Sequence, residues 1–173
     1  MLHVGSCIPR KRIDVLIAVF ASLRDAFPDL KLVKIGDQFS TPQLSLIQSA
    51  RLGDSVVHLG KVDRKTLIDA YRNAAAVLVP SEYEGFGLPV IEGLACGAAV
   101  VCSDTPNLRE AGGIAASYAP VANIEAWHDV LKSVLATAED SEARRTRRAW
   151  AARFTWDAHA TAIADAYREL LPT

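Results

Sequence analysis

The sequence predicts an α/β domain built on one doubly wound parallel sheet of about six strands, with helices on both faces. Three observations carry that expectation. Short apolar runs alternate with segments of helical periodicity from Leu2 to Val121, a spacing that makes βαβ units, and right-handed crossovers wind such units into an open sheet. The run ending at Val79 reads as a buried parallel strand, apolar along its whole length from Ala74. The runs end in small or turn-forming residues, at Gly5-Ser6, Gly36-Asp37, Gly60-Lys61, Pro80-Ser81 and Ser103-Asp104. Ligands of doubly wound sheets bind along this edge, although every αβ fold needs turns there and the third observation identifies no ligand by itself.

In chain order, the first strand is expected at Leu2 to Gly5. After Ile8-Pro9-Arg10-Lys11-Arg12, apolar residues at 13, 16, 17, 20, 23 and 27 repeat at spacings of three and four, the mark of an amphipathic helix, which Pro28 stops. Leu30 to Gly36 reads as the second strand, and a polar helix follows from about Pro42 to Leu52, with Gly53 expected as its C-terminal cap. The third strand is Val56 to Gly60, and Asp63 is placed to cap a helix reaching about Asn73. Ala74 to Pro80 is the fourth strand, Val90 to Cys96 a small buried helix, and Ala98 to Ser103 the fifth strand. A short helix then reaches Glu110 and ends at Gly112-Gly113, before a sixth strand from Ser117 to Val121. The remainder reads as three helices: Ile124 to Ala138, one opened by Asp140-Ser141-Glu142 and ending in Arg144-Arg145-Thr146-Arg147-Arg148, and about Asp157 to Leu171. The arginines read as a solvated face, with contact to anionic lipid headgroups as the sharper alternative.

The whole 173 residues suffice for one domain with a full core, residues 1–121 as the βα part and 122–173 as terminal helices. The formal charge, 19 minus 20, gives no reason to expect a nucleic-acid partner. No apolar run approaches the roughly 20 residues of a membrane span, and the first residues lack the charged start of a signal peptide. Three cysteines without C-x-x-C spacing suit a reducing cytoplasm. Because the first strand begins at Leu2, the chain reads as a piece of a longer protein.

The stretch Pro80-Ser81-Glu82-Tyr83-Glu84-Gly85-Phe86-Gly87-Leu88-Pro89-Val90-Ile91-Glu92 holds the chemistry. Pro89 suits a first helical turn, whose N–H groups lack partners and whose dipole favours an anion. Gly85 and Gly87 let the backbone approach that anion, so Gly85, Phe86, Gly87 and Leu88 are candidate amide donors. Glu84 and Glu92 would repel a phosphate, but each suits the hydroxyls of a neutral polyol. A hexose on one side of a diphosphate and a ribose on the other satisfies both. The plainer readings are an exposed loop acid for Glu84 and, for Glu92, a first-turn acid worth about 0.3–1 kcal/mol to its helix; Glu82 is left as a surface acid. Arg10, Lys11 and Arg12 follow the first strand on the same edge and fit equally a diphosphate or a solvated basic turn. G-x-G-x-x-G after the first strand, a P-loop and paired aspartates are all missing. His3 and His58 fall in strands as structural residues, His128 and His159 are scattered, and no metal site is expected.

Pro80-Ser81-x-x-Glu84-Gly-Phe-Gly-Leu-Pro89-x-x-Glu92 resembles the E-x7-E signature of retaining GT-B glycosyltransferases, in the large group called family 4. Val4-Gly5, Pro9-x-Lys11, Ile13-Asp14, Leu59-Gly60-x-Val62, Glu110-x-x-Gly113 and Phe154-x-Trp156 match further landmarks, and Ala98 to Ser103 matches another with Ala99 in place of proline. The resemblance implies a Rossmann-like half of a GT-B fold that binds a nucleotide-diphosphate sugar, the N-terminal acceptor domain being absent. It implies that Glu84 binds donor-sugar hydroxyls, Glu92 the ribose and Lys11 the diphosphate, with main chain near Val62 on the base and the Gly5 end of the first strand lining the site. The family's usual arginine after the first-strand glycine is Ser6 here, and Arg12 replaces a glycine, so the resemblance implies either weaker diphosphate binding or substitution by Arg10 or Arg12. Metal-independent, cofactor-free retaining transfer to a saccharide or lipid-linked acceptor, as in cell-surface polysaccharide synthesis, is the implied activity, in the cytoplasm or at the inner face of the membrane. A nucleotide-sugar epimerase and a non-catalytic nucleotide-sugar-binding module are the alternatives.

Overall fold

The structure is a computed structural model and describes residues 1–138 and 140–170. Six parallel strands, β1 (Leu2–Gly5), β2 (Leu32–Gly36), β3 (Val56–Leu59), β4 (Val77–Val79), β5 (Val100–Ser103) and β6 (Ser117–Ala119), form one sheet in the order β3-β2-β1-β4-β5-β6. This is the doubly wound arrangement expected. The order reverses between β1 and β4, which makes their carboxyl ends the switch point at which such sheets bind ligands. Among the described residues, β1 and β4 share a single register pair, Leu2 with Val77. The next carbonyl, that of Leu78, meets the His3 Nδ1 at 3.0 Å. The sheet therefore has its weakest backbone seam at the switch point.

Helices cover both faces. On one, α1 (Ile13–Leu23), α2 (Thr41–Ser49) and α6 (Ile124–Ala136) bury Leu16, Phe20, Ile47, Trp127 and Leu131 against Leu32, Leu78 and Val101. On the other, α3 (Arg64–Asn73), α4 (Leu88–Ala95), α5 (Pro106–Gly112) and α7 (Ser141–Ala151) bury Tyr71, Val90, Leu94, Leu108 and Ala151 against Leu2, Val77 and Val100. A last helix, α8 (Trp156–Leu170), has no buried residue; the expected end of that helix at Leu171 lies outside the described residues. Among the described residues, no helix is long and apolar enough to cross a membrane.

Several boundaries moved for local reasons. Helix α1 ends at Leu23, and its last turn tightens as the Arg24 amide reaches Ala21 O at 3.2 Å. Phe27 still packs on the core, while Pro28 disfavours helical geometry at the residue before it. Gly53 is not the cap of α2. Arg51 takes the left-handed conformation at φ 54°, and the Arg51 and Leu52 amides turn back to Gln48 O and Ile47 O, both at 3.0 Å. This Schellman turn is fixed by the burial of Leu52, and a glycine two residues later begins a 3₁₀ turn instead. Asp63 does cap α3, accepting the Thr66 amide at 2.7 Å. The arginines of α7 are not simply a solvated face. Arg144 and Arg147 donate to the carbonyls of Arg72 and Gly97 at 3.3 and 3.1 Å, pinning α7 to the ends of α3 and α4.

Candidate active site

Two loops meet at the switch point. The first leaves β1 at Gly5, passes Ser6, makes a 3₁₀ turn at Pro9–Lys11 and enters α1 through Arg12, which is left-handed at φ 48°. The second runs from Pro80 to Gly87 into α4. They are joined by backbone, since the Glu82 amide donates to Arg10 O at 2.9 Å, and by the Arg10 guanidinium, which donates to Tyr83 O at 2.8 Å. Arg12 spans them as well, pairing with Asp14 at 2.9 Å and with Glu82 at 2.5 Å. Arg12 is thus held by acids of its own chain, and Glu82, read from sequence as a surface acid, is its partner in closing the loops.

Glu84 is the centre of the junction and is 5% exposed. Its Oε1 accepts from Lys11 Nζ at 2.5 Å and from Ser81 Oγ at 2.8 Å, and its Oε2 accepts from Arg10 at 3.2 Å. Burial pushes its carboxyl up, but the hydrogen bonds from Lys11, Ser81 and Arg10 together with the Lys11 charge outweigh burial and hold it below the ordinary value. Glu84 is therefore an ionised acceptor. A carboxylate has about four lone-pair positions; Oε1 is filled by two donors and Oε2 keeps one position open. The two acids and the basic turn that sequence placed on one edge are thereby resolved: Glu84, Lys11 and Arg10 converge, and Arg12 stands aside.

Glu92 lies in the second turn of α4 and is exposed at the surface, with one oxygen accepting from the Tyr71 hydroxyl at 2.8 Å. Tyr71 is 1% exposed, and its phenol is held well above the ordinary range by burial and then by the Glu92 charge. Sequence reasoning missed Tyr71 because a tyrosine in an amphipathic helix looks like core. Gly87 enters α4 at φ 78°, and a Cβ there would meet Leu108 and Ala111 side chains at 3.2 Å, so any other residue would be strained. Gly85 has open space around it and no such φ. Among the described residues, the amides of Gly85, Phe86, Gly87 and Leu88 donate to no protein acceptor, leaving a row of donors at the positive end of α4. Phe86 stacks edge-on against Phe154 at 5.8 Å between centroids. Val62, in the loop between β3 and α3, is half-buried against the core of the α3–α4 face.

His58 is a satisfied structural histidine, as expected, its Nε2 meeting Gly36 O at 2.9 Å, whereas His3 is held by Leu78 O through Nδ1 and its buried Nε2 has no partner among the described residues. Among the described residues, no three His, Cys, Asp or Glu side chains converge as a metal site. A cavity of about 410 Å³ lies at the opposite edge of the sheet, between Ala75, Ala99, Val134 and Arg147. Among the described residues, its lining carries one acid and one base, Asp140 and Arg147, among small and apolar residues.

Comparison with known proteins agrees with this architecture. The model of the family described as glycosyl transferases group 1 matches residues 1–151. A D-inositol 3-phosphate glycosyltransferase of Segniliparus rotundus is 34% identical over 180 residues, covering 97% of this chain and 39% of that protein. The O-antigen chain mannosyltransferase B of Escherichia coli is 30% identical over 98% of this chain and 45% of its own length. Among solved structures, the sucrose-phosphate synthase of Thermosynechococcus elongatus superposes with a TM-score of 0.79 at 30% identity, over 98% of this chain and 44% of that one. The chain thus spans less than half the length of these relatives, and its sheet is a Rossmann-like half of the GT-B architecture. From β1 through α7, the chain belongs to the glycosyl transferases group 1 family.

Proposed function

We propose that this domain binds the nucleotide-diphosphate sugar of a retaining glycosyltransferase, metal-independent and cofactor-free, that transfers a hexosyl group to a saccharide or lipid-linked saccharide. The observation that carries the reading is the Lys11–Glu84 pair at 2.5 Å, followed in the chain by the amides of Gly85 to Leu88, which have no protein acceptor among the described residues. A cation and a carboxylate in contact suit the junction of a diphosphate and a sugar, Lys11 facing the phosphate and Glu84 the hydroxyls. Glu84 has one open lone-pair position, so engaging two vicinal hydroxyls displaces a present donor. Arg10 is the one to move, because its side chain is 44% exposed and its contact the longest of the three. Once released, Arg10 joins Lys11 and the amides around the leaving diphosphate, the preorganised charge that lowers the barrier in such transfers. Glu92, steered by Tyr71, takes the ribose, and main chain near Val62 takes the base.

The acceptor side belongs to the part of the relatives that this chain does not span. The 173-residue chain is therefore expected to bind donor without turning it over, and robust sugar transfer by it alone would overturn this. Calorimetric titration with UDP-, GDP- and ADP-sugars tests the site. At least one donor should bind, and Lys11→Ala or Glu92→Ala should weaken it about tenfold or more, the worth of a charged hydrogen bond of about 1.5–3 kcal/mol. Unchanged affinity in both variants would refute the site.

A further inference from the structure

Lys34 lies inside β2, in the run Leu32-Val33-Lys34-Ile35, and is 0% exposed. Its ammonium donates to Gly5 O at 3.0 Å and to Asp37 O, and lies 5.7 Å from the centre of the Phe39 ring. Among the described residues, no carboxylate stands within ion-pair distance of it. Its partners are backbone carbonyls, the Cys7 thiol and the face of Phe39, none of them a counter-ion, and a charge in the low-dielectric interior acts over a longer range than in water.

Through the Gly5 carbonyl, Lys34 adjoins the switch point. The Gly5 carbonyl is packed so tightly on β2 that a Cβ on Gly36 would come within 2.4 Å of its oxygen. On the side where Gly5 lacks a Cβ, the added atom would lie 3.9 Å from Lys11 Nζ and 3.7 Å from His3 Nε2. Gly5 thus separates Lys34 from Lys11. His3 pairs in register with Lys34 across β1 and β2 and senses both lysines. Burial first, then the Lys34 and Lys11 charges, lower its imidazole to about 4 against the raising effects of Leu78 O and Glu84. Its Nε2 has no partner among the described residues. In the same region Glu84 offsets one of the two cations that contact it, Lys11 and Arg10, and Ser6 brings no charge.

We propose that Lys34 is a positioning residue of the donor site, fixing the Gly5 carbonyl at the end of β1 and lending the site, from within the sheet, the positive charge that a bound diphosphate completes. This rests on the donor-site reading. It distinguishes Lys34 from Lys11, which touches the ligand directly, and it explains a charge placed where β2 would otherwise be apolar.

The test uses Lys34→Gln, which keeps an amide donor for the carbonyls and removes the charge, and Lys34→Met, which removes both. Each is checked by thermal melt and titrated, by NMR shift changes, with UDP, GDP and ADP and with uridine, guanosine and adenosine. Lys34→Gln should bind the preferred nucleoside diphosphate about tenfold more weakly and the matching nucleoside as wild type does, so the ratio of the two affinities falls. A purely structural lysine would weaken both ligands together, and that result, or an unchanged ratio, overturns the inference alone. A wild-type chain that binds none of the diphosphates overturns the donor-site reading and this inference with it. Lys34→Met is read by the same ratio, which keeps the test decisive if the glutamine variant does not fold.

Discussion

At the scale of single residues the site is a contest between burial and charge, and Glu84 is where it is decided. Taken from water alone, its carboxylate would protonate; three donors keep it ionised. Removing the charge with Glu84→Gln leaves the Lys11 ammonium, 11% exposed at its side chain, buried without its counter-ion. Breaking one member of a buried pair typically costs about 3–5 kcal/mol. The folded-state carboxyl lies below its ordinary value of 4.5, so the stabilisation is complete above that pH and is lost as the pH falls through the lowered value. Urea unfolding of wild type and Glu84→Gln from neutral to acid pH should therefore show a gap of about 3 kcal/mol at pH 7 that closes on acidification. A gap that widens in acid would mean that Glu84 is not ionised in the folded protein.

At the scale of elements, the entry to α4 separates two glycines that look alike in the sequence. Gly87 is left-handed and crowded by Leu108 and Ala111, whereas Gly85 is open. Gly87→Ala should destabilise the fold by about 1–3 kcal/mol, the range for strained backbone, and Gly85→Ala by less than about 0.5 kcal/mol; equal losses in chemical denaturation would contradict the assigned geometry. The difference also explains what could be read in advance. Both glycines were legible as backbone near an anion, but only the packing of α5 tells which one would be strained by substitution. β4 and β5 were legible because they are buried on both faces and read as apolar runs. Their ends were not, since the run from Ala74 continues through residues outside the ladder of β4. The cap at Asp63 was local and readable, while the end of α2 depended on burying Leu52, which local pattern does not reveal. Arg12–Glu82 and Tyr71–Glu92 pair residues distant in the chain, and only the folded sheet brings them together.

At the scale of the whole molecule, the strand order places the best-protected and the least-protected backbone in known positions. β1, β2, β4 and β5 have strands on both sides, while β3 is an edge with Val57 and Leu59 exposed by 41% and 37%, and α8 buries no residue. Amide exchange follows local opening, so the inner strands should exchange most slowly, β3 faster, and α8 fastest. The donor site cuts across this ranking. Among the described residues, the amides of Gly85 to Leu88 have no protein acceptor, although they adjoin a fully buried strand and a helix that packs on it. They should exchange rapidly in the ligand-free chain and become protected when a binding nucleotide sugar is added, together with the Gly5 to Arg12 loop that faces them across the switch point. Exchange of α8, distant from that seam in the chain, should stay as it was. Protection confined to the cavity between Ala75 and Arg147, with residues 85–88 unchanged, would move the ligand to the other edge of the sheet. Because the prediction compares segments within one sample, it does not depend on how tightly the donor binds, provided that enough is present to occupy the site.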